Sequence, residues 1–149
     1  MRKIAVLSDA HALLPATVVA AVRTADEIWH LGDVCQPSTL DDLLALGLPL
    51  YVVCGNCDNP LNWPVRRRLE RHGRTFQLEH IPPERPLAGV DAVLHGHTHV
   101  PRDETVRGVR FLNPGCITHA NRGAPASFAW LGITEDGSVS WEIVPTHVM

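Results

Sequence analysis

Seven side chains able to donate to a divalent cation punctuate the sequence: Asp9, His11, Asp33, Asn56, His80, His97 and His99. The set combines carboxylate and amide oxygen with imidazole nitrogen and contains no thiolate. Such a mixture suits Mn²⁺, Fe, Co, Ni or Zn better than Ca²⁺ or Mg²⁺, which favour oxygen shells. Seven donors exceed the four that a single structural zinc takes, so they point to two ions sharing one ligand. Two ions about 3.5–4 Å apart acidify a bridging water and clamp a phosphoryl group. The chemistry implied is hydrolysis of a phosphate ester.

For that chemistry, residues far apart in the chain must meet. Short apolar runs predict strands over Lys3–Ser8, Glu27–Leu31, Leu48–Cys54, Thr75–Glu79 and Asp91–His95. Asp9 and His11 follow the first, Asp33 the second, Asn56 the third, His80 the fourth, and His97 and His99 the fifth. All seven thus lie at strand C-terminal ends, the rim where open α/β sheets bind ligands. Gly32, Gly55 and Gly96 each stand immediately before one of them, where the backbone turns sharply or approaches a ligand closely.

Between the first strands, Pro15–Thr24 reads as a helix opened by its proline. Ser38–Leu46 reads as a second, with Ser38 as cap, acidic residues in its first turn and Gly47 as its stop. This β-α-β-α-β order predicts a parallel sheet with right-handed crossovers. Beyond Gly55, Asn59–Pro64 reads as a loop and Val65–His72 as a short basic helix. Ile81–Pro86, with Pro82, Pro83 and Pro86, forms neither helix nor central strand. Three β segments close the chain: Thr105–Leu112 bent at Gly108, Ser127–Ile133, and Val139–Val144 after an Asp136-Gly137 turn. The second half is therefore expected to be mostly antiparallel.

With 149 residues, 45% hydrophobic and 19% charged, the chain has ordinary globular usage, and one domain over 1–149 is expected. Thirteen basic residues against sixteen acidic ones give a net charge of −3, so nothing global draws the protein to nucleic acid or an anionic membrane. No apolar run approaches the roughly 20 residues that span a bilayer. The apolar start Ile4–Leu7 meets Ser8 and Asp9 too early for a secretory leader, so a cytoplasmic location is expected. Cys35, Cys54, Cys57 and Cys116 are then expected to stay reduced. Cys54-Gly55-Asn56-Cys57 has C-x-x-C spacing, but no second pair accompanies it and Asn56 already belongs to the donor set.

Asp9-Ala10-His11, Gly32-Asp33, Gly55-Asn56-Cys57-Asp58 and Gly96-His97-Thr98-His99, in this order, resemble the calcineurin-like metallophosphoesterases. More narrowly, the chain is similar to the small bacterial and archaeal phosphodiesterase branch, where Asn113-Pro114-Gly115 and a later arginine, here Arg122, are also typical. The resemblance covers essentially the whole chain. It implies an α/β fold of two mixed β-sheets packed as a sandwich and flanked by α-helices, in four αββα layers. It also implies one metal on Asp9, His11, Asp33 and His99 and a second on Asp33, Asn56, His80 and His97, with Asp33 bridging. Manganese is the first expectation, with Fe, Zn, Ni and Co as alternatives. A hydroxide between the ions would attack a small phosphorylated substrate, a diester by branch resemblance, with Asp33, Asn56 and His97 at the catalytic core. Two carboxylates against two dications leave such a site at about +2, which attracts phosphate despite the overall −3. Small relatives are often oligomers, so a homo-oligomer is compatible with the resemblance.

The match departs from the family pattern in two places. Many relatives have histidine after the Gly-Asn pair; here it is Cys57, whose thiol is a poor proton donor at neutral pH. Modest turnover with a preference for good leaving groups, such as aryl phosphodiesters or pyrophosphate-type bonds, follows. At His80 the family usually has His-Gly and then a longer, often helical segment; here His80-Ile81 is followed by a short one before His97.

Among the remaining residues, Asp58 is read as orienting a neighbouring ligand or loop, and His119 and Arg122 as substrate contacts or loop supports. His30 and His95, at the ends of apolar strands, read as buried hydrogen-bonded supports, and His72 and His147 as surface residues. Arg66, Arg67, Arg68, Arg71 and Arg74 read as a solvated basic helix face. The competing functional class is a metal-binding scaffold or protein-interaction module on the same fold, as the related retromer subunit of eukaryotes is thought to be.

Overall fold

Strand β1 (Arg2–Leu7) alternates its apolar side chains, sending Ile4 and Val6 to one face and Ala5 and Leu7 to the other, and all four are fully buried. A strand buried on both faces must have a layer on each side. The computed structural model, which describes residues 1–146, supplies both. His147, expected at the surface, lies outside the described residues.

The elements that follow are α1 (Ala16–Val22), β2 (Glu27–His30), a 3₁₀ turn (Pro37–Leu40) running into α2 (Asp41–Leu44), and β3 (Leu50–Val52). Then come β4 (Arg66–Arg71), β5 (Arg74–Glu79), β6 (Ala92–Leu94), β7 (Arg102–Val106), β8 (Val109–Asn113), β9 (Ser127–Ile133) and β10 (Val139–Pro145). They form two mixed five-stranded sheets, ordered β10-β9-β1-β2-β3 and β4-β5-β6-β8-β7. In the first, β1, β2 and β3 run parallel and β9 pairs antiparallel with β1. In the second, β6 runs parallel to both β5 and β8, with antiparallel β4 and β7 at the edges.

Between the sheets, Ile4, Val6, Trp29 and Leu31 pack against Phe76, Leu78, Leu94 and Leu112. Trp29 and Phe76 meet edge to face with centroids 5.5 Å apart. The outer face of the first sheet is covered by Val18 and Val22 of α1 and Leu40 and Leu43 near α2. The outer face of the second sheet is covered differently: Val93 and Phe111 pack under Val90 and Leu87 of the 81–91 connection. Helices are few because that proline-rich connection is too short and too interrupted to form one.

The basic segment expected as a helix is instead strand β4. Its residues alternate exposed and half-buried from Arg66 to Arg71, and His72 (φ 49°) and Gly73 (φ 78°) turn it back onto β5. The segment expected as one bent strand at Gly108 is likewise a hairpin, β7–β8, turned by Arg107 (φ 51°) and Gly108 (φ 82°). Two consecutive positive φ values match the twist of a tight hairpin, and glycine at the second position makes that affordable. Ser38 makes no side-chain cap; it lies inside the 3₁₀ turn.

Candidate metal centre

Both sheets bring their strand ends to one rim. The loop after β1 continues alongside the loop after β2, with Asp9 N–H donating to Gly32 O (3.0 Å), His11 N–H to Asp33 O (2.9 Å) and Ala12 N–H to Val34 O (2.9 Å). Asp9, His11, Asp33, His97 and His99 all have positive φ, which makes them five of the ten such non-glycine residues described. Asp and His tolerate the left-handed region better than branched residues, yet it still costs energy and recurs at functional sites. Gly55 and Gly96 are sterically fixed: a Cβ at Gly55 would collide with Asp33, and one at Gly96 with Ser8 and Asp9.

Each buried carboxylate divides its oxygens between the protein and the rim. Asp9 Oδ2 accepts from Ser8 Oγ (2.7 Å) and from the His97 N–H (3.2 Å). Its Oδ1 is buried without a hydrogen-bond partner, facing Nε2 of His99 at 3.3 Å, of His80 at 3.7 Å and of His11 at 3.8 Å. Asp33 Oδ1 accepts from the Cys57 N–H (3.0 Å), while Oδ2 faces Nε2 of His80 at 3.3 Å and of His11 at 3.9 Å. Nε2 of His11 and of His99 lie 3.2 Å apart.

His80 comes from the second sheet and reaches Leu31 of the first. Its Nδ1–H donates to Leu31 O at 2.8 Å, which leaves the Nε2 lone pair aimed at the carboxylates. Burial opposes charge on His80, but the Asp33 and Asp9 carboxylates outweigh it and raise its pKa. Burial would also raise the Asp33 carboxyl, yet His80 and the Cys57 N–H hold it down at about 2. The cluster-facing end of the Asn56 amide is 3.0 Å from His80 Nε2, 3.2 Å from each Asp33 oxygen and 3.3 Å from His97 Nδ1. Turned one way this atom is an NH₂ donating to acceptors. Turned the other it is an oxygen among lone pairs, which a cation between them converts from repulsion to coordination.

All seven sequence-derived donors therefore gather at one place, and their 3.0–3.9 Å separations approach the roughly 3.0–3.4 Å between atoms bound to one ion at about 2.1 Å. The orphaned Asp9 Oδ1 and the oxygen-and-imidazole donor set fit divalent cations. Asp9, His11 and His99 bring their ligand atoms within 4.8 Å of one another, as do Asp9, Asp33 and His80, so Asp9 as well as Asp33 faces both histidine sets.

The supporting residues take distinct places. Asp58, buried, accepts from the N–H groups of Asp33 and Gly55 on Oδ2 and of Cys35 on Oδ1, all at 2.8 Å. This ties the loops after β2 and β3 together, and with Cys35 in a left-handed turn (φ 71°) it brings the Cα atoms of Cys35 and Cys57 to 5.2 Å. Those two cysteines form a disulfide, contrary to the expectation of four reduced thiols; Cys54 and Cys116 are free and buried. Cys57 accordingly has no thiol proton to offer a leaving group, and Cys35 Sγ lies 3.8 Å from His11 Nδ1.

His119 hydrogen-bonds Thr118 Oγ1 (2.7 Å) with its ring 6.5 Å from that of His11. Arg122 turns the 121–124 bridge with φ 48°, and its guanidinium makes no bond to the donors among the described residues. His95, buried, donates Nδ1–H to Gly96 O (3.0 Å) and receives Arg102 on Nε2 (3.1 Å). Asn113 was marked by its Asn-Pro-Gly motif but given no site role, and Ser8, Leu31 O and Cys116 were given none either. Asn113 Nδ2 holds Gly96 O (3.2 Å) and Thr98 Oγ1 (3.1 Å), and the Cys116 thiol donates to Asp9 O. The readable signals were the position of Ser8 beside Asp9 and the Asn113-Pro114-Gly115 motif.

The calcineurin-like phosphoesterase superfamily domain matches residues 2–136. The chain is 33% identical over 132 residues to a probable metallophosphoesterase of Methanocaldococcus jannaschii, covering 77% of this chain and 68% of that protein. It is 28% identical over 164 residues to the phosphodiesterase YfcE of Escherichia coli, covering 88% of each. The solved structure of YfcE, a phosphoesterase from E. coli, superposes with a TM-score of 0.75 at 25% identity, covering 94% of this chain and 98% of that one. Wild-type Vps29 from Entamoeba histolytica, complexed with Zn²⁺, gives 0.75 at 26% identity over 97% and 99%.

Proposed function

This chain belongs to the calcineurin-like phosphoesterase superfamily, and on that premise we propose that it is a dinuclear metal-dependent phosphodiesterase acting on a small phosphorylated substrate. The observation that carries this reading is the buried, unpartnered Asp9 Oδ1, ringed by three histidine Nε2 atoms beside the Asp33–Asn56–His80–His97 cluster. Asp9, His11, Asp33 and His99 would hold one ion and Asp33, Asn56, His80 and His97 the other, with manganese the first choice. When bound, the ions supply the Lewis acidity that brings water toward a neutral pKa and offsets phosphate charge.

The protein's own part is to fix donors in place before substrate arrives. Ser8 and the Cys57 N–H each occupy one carboxylate oxygen, so the other points inward. Leu31 O fixes the His80 tautomer. Asp58 fixes the loops carrying Asp33 and Asn56. Cys57, His119 and Arg122 belong to the rim that a substrate would meet. The diester preference rests on similarity to YfcE. A single domain over 1–149 and a cytoplasmic setting are part of the same proposal. Retention of all seven donors speaks for catalysis over a purely scaffolding role.

The test is hydrolysis of bis(p-nitrophenyl) phosphate by metal-stripped protein resupplied with Mn²⁺. Turnover is expected only with metal, falling by about 100-fold or more in Asp33→Asn. Metal-loaded protein with no turnover on any phosphate ester would overturn the enzymatic reading.

A further inference from the structure

A cleft of about 220 Å³ adjoins the donor cluster on the side of the second sheet. Asn56 and His80 belong to both: they face the carboxylates and also line the cleft. The remaining wall is chiefly apolar, built from Gly55, Val65 in the loop before β4 and Ile81 just after β5. Val65 is 61% exposed and Ile81 52% exposed, so two large aliphatic groups face solvent next to the most polar point of the molecule. Glu79 is the one carboxylate in the wall, and its side chain is paired with Arg66 and approached by Gln77 Nε2 at 3.4 Å.

From this arrangement we infer that the cleft is the subsite for one ester arm of the substrate, and that the arm is a neutral ring of about six members. The inference rests on the phosphodiesterase reading and adds a substrate class to it. Size is sufficient: a cavity of about 150 Å³ holds benzene, so this cleft takes one ring with small substituents. Charge sets the type. The wall has no unpaired cation to receive a second phosphate, since Arg66 beside it is already paired with Glu79. Apolar walls give the ring its affinity, because Val65 and Ile81 lose contact with water when it binds. A phosphate seated on the Asn56–His80 side of the cluster directs one of its two ester oxygens into this cleft, whereas a monoester has a single arm to place.

The experiment compares methylphosphonate with phenylphosphonate, each having one fixed arm, by calorimetric titration of the Mn²⁺-loaded protein. Phenylphosphonate is expected to bind about tenfold more tightly. Val65→Trp, which fills the cleft, and Ile81→Asp, which puts an anion in its wall, should each abolish that preference. Methylphosphonate affinity in the same two variants is the reference against which that loss is read, so any general effect on the neighbouring donors cancels. Equal affinity of the wild type for both ligands overturns the subsite and leaves the metal-dependent phosphoesterase standing. A preference that survives in both variants overturns it too, by placing the ring elsewhere. Failure of both phosphonates to bind at any metal loading removes the phosphoesterase reading, and the subsite with it.

Discussion

His30 shows how a single buried group couples the fold to acidity. Its Nδ1 accepts the Gly32 N–H at 3.1 Å, which places the proton on Nε2, and Nε2 is buried without a partner. Burial pushes its pKa down to about 4, against a nearby Asp58 carboxylate that works the other way. The unfolded chain takes up this proton near pH 6.5 and the native protein only near 4. The contribution is therefore complete above 6.5 and is lost as pH falls through 4, roughly 3 kcal/mol in all. Urea unfolding of metal-free protein at pH 7.5 and 4.5 should show the loss. In His30→Gln, whose amide oxygen can still accept from Gly32, it should shrink by about 2 kcal/mol. An undiminished loss would assign the acid sensitivity to other groups. At this scale the donor types were legible, because Asp, His and Asn at strand ends are few and chemically distinct. Their fixing partners were not: Leu31 O and the Cys57 N–H are backbone groups that any residue carries, and only the path of the chain brings them near.

At the scale of elements, strand β4 was misread because arginines suit a helix surface and a strand edge equally well. What decides is the alternation of exposure and the His72-Gly73 turn, which force a hairpin with β5. The strand placement gives the arginines different partners from those of a solvated helix. Arg71 crosses between the sheets and donates to both oxygens of Glu27 at the start of β2, at 2.8 and 2.9 Å, while Trp29 Nε1 donates to the same carboxylate at 2.8 Å. Arg67 Nε reaches Val52 O on the edge strand β3 at 2.9 Å. Glu27 is buried; burial alone would raise its carboxyl, but Arg71 and Trp29 outweigh that and lower it. Arg71→Met leaves the carboxylate with only Trp29 and a longer approach from Arg2 at 3.7 Å. The expected cost is about 2–3 kcal/mol in urea unfolding at pH 7. Adding Glu27→Gln should recover part of it, and strict additivity of the two changes would deny the coupling. Strands β1, β2 and β9 of the first sheet were legible because they are largely buried on both faces and read as mainly apolar runs. The β7–β8 hairpin was not, since Arg107-Gly108 is a weaker turn signal than Asn-Gly or Asp-Gly.

Across the whole molecule the donors are shared between the sheets: Asp9, His11, Asp33 and Asn56 follow strands of the first, and His80, His97 and His99 follow strands of the second. Ions bound at this rim would therefore staple the two layers of the sandwich at one end, while Arg71 and Glu27 join them through β4 and the start of β2. Without cations the same rim confines two carboxylates and an amide whose oxygen, if turned inward, meets only acceptors. Binding should then stabilise the whole fold and not a local loop, because separating the sheets breaks the ligand set. At 100 times the dissociation constant the linkage is worth about 2.7 kcal/mol. For a chain of this length that corresponds to a rise in Tm of roughly 5–10 °C. Scanning calorimetry of stripped protein titrated with Mn²⁺ should show the rise as one cooperative transition, reversed by chelator. Asp9→Asn replaces the orphaned carboxylate oxygen's charge with an amide and should remove most of the rise. Mg²⁺, which the imidazole-rich set disfavours, should reproduce little of it. A metal-induced shift confined to part of the unfolding transition would mean that the two sheets are not held through this centre.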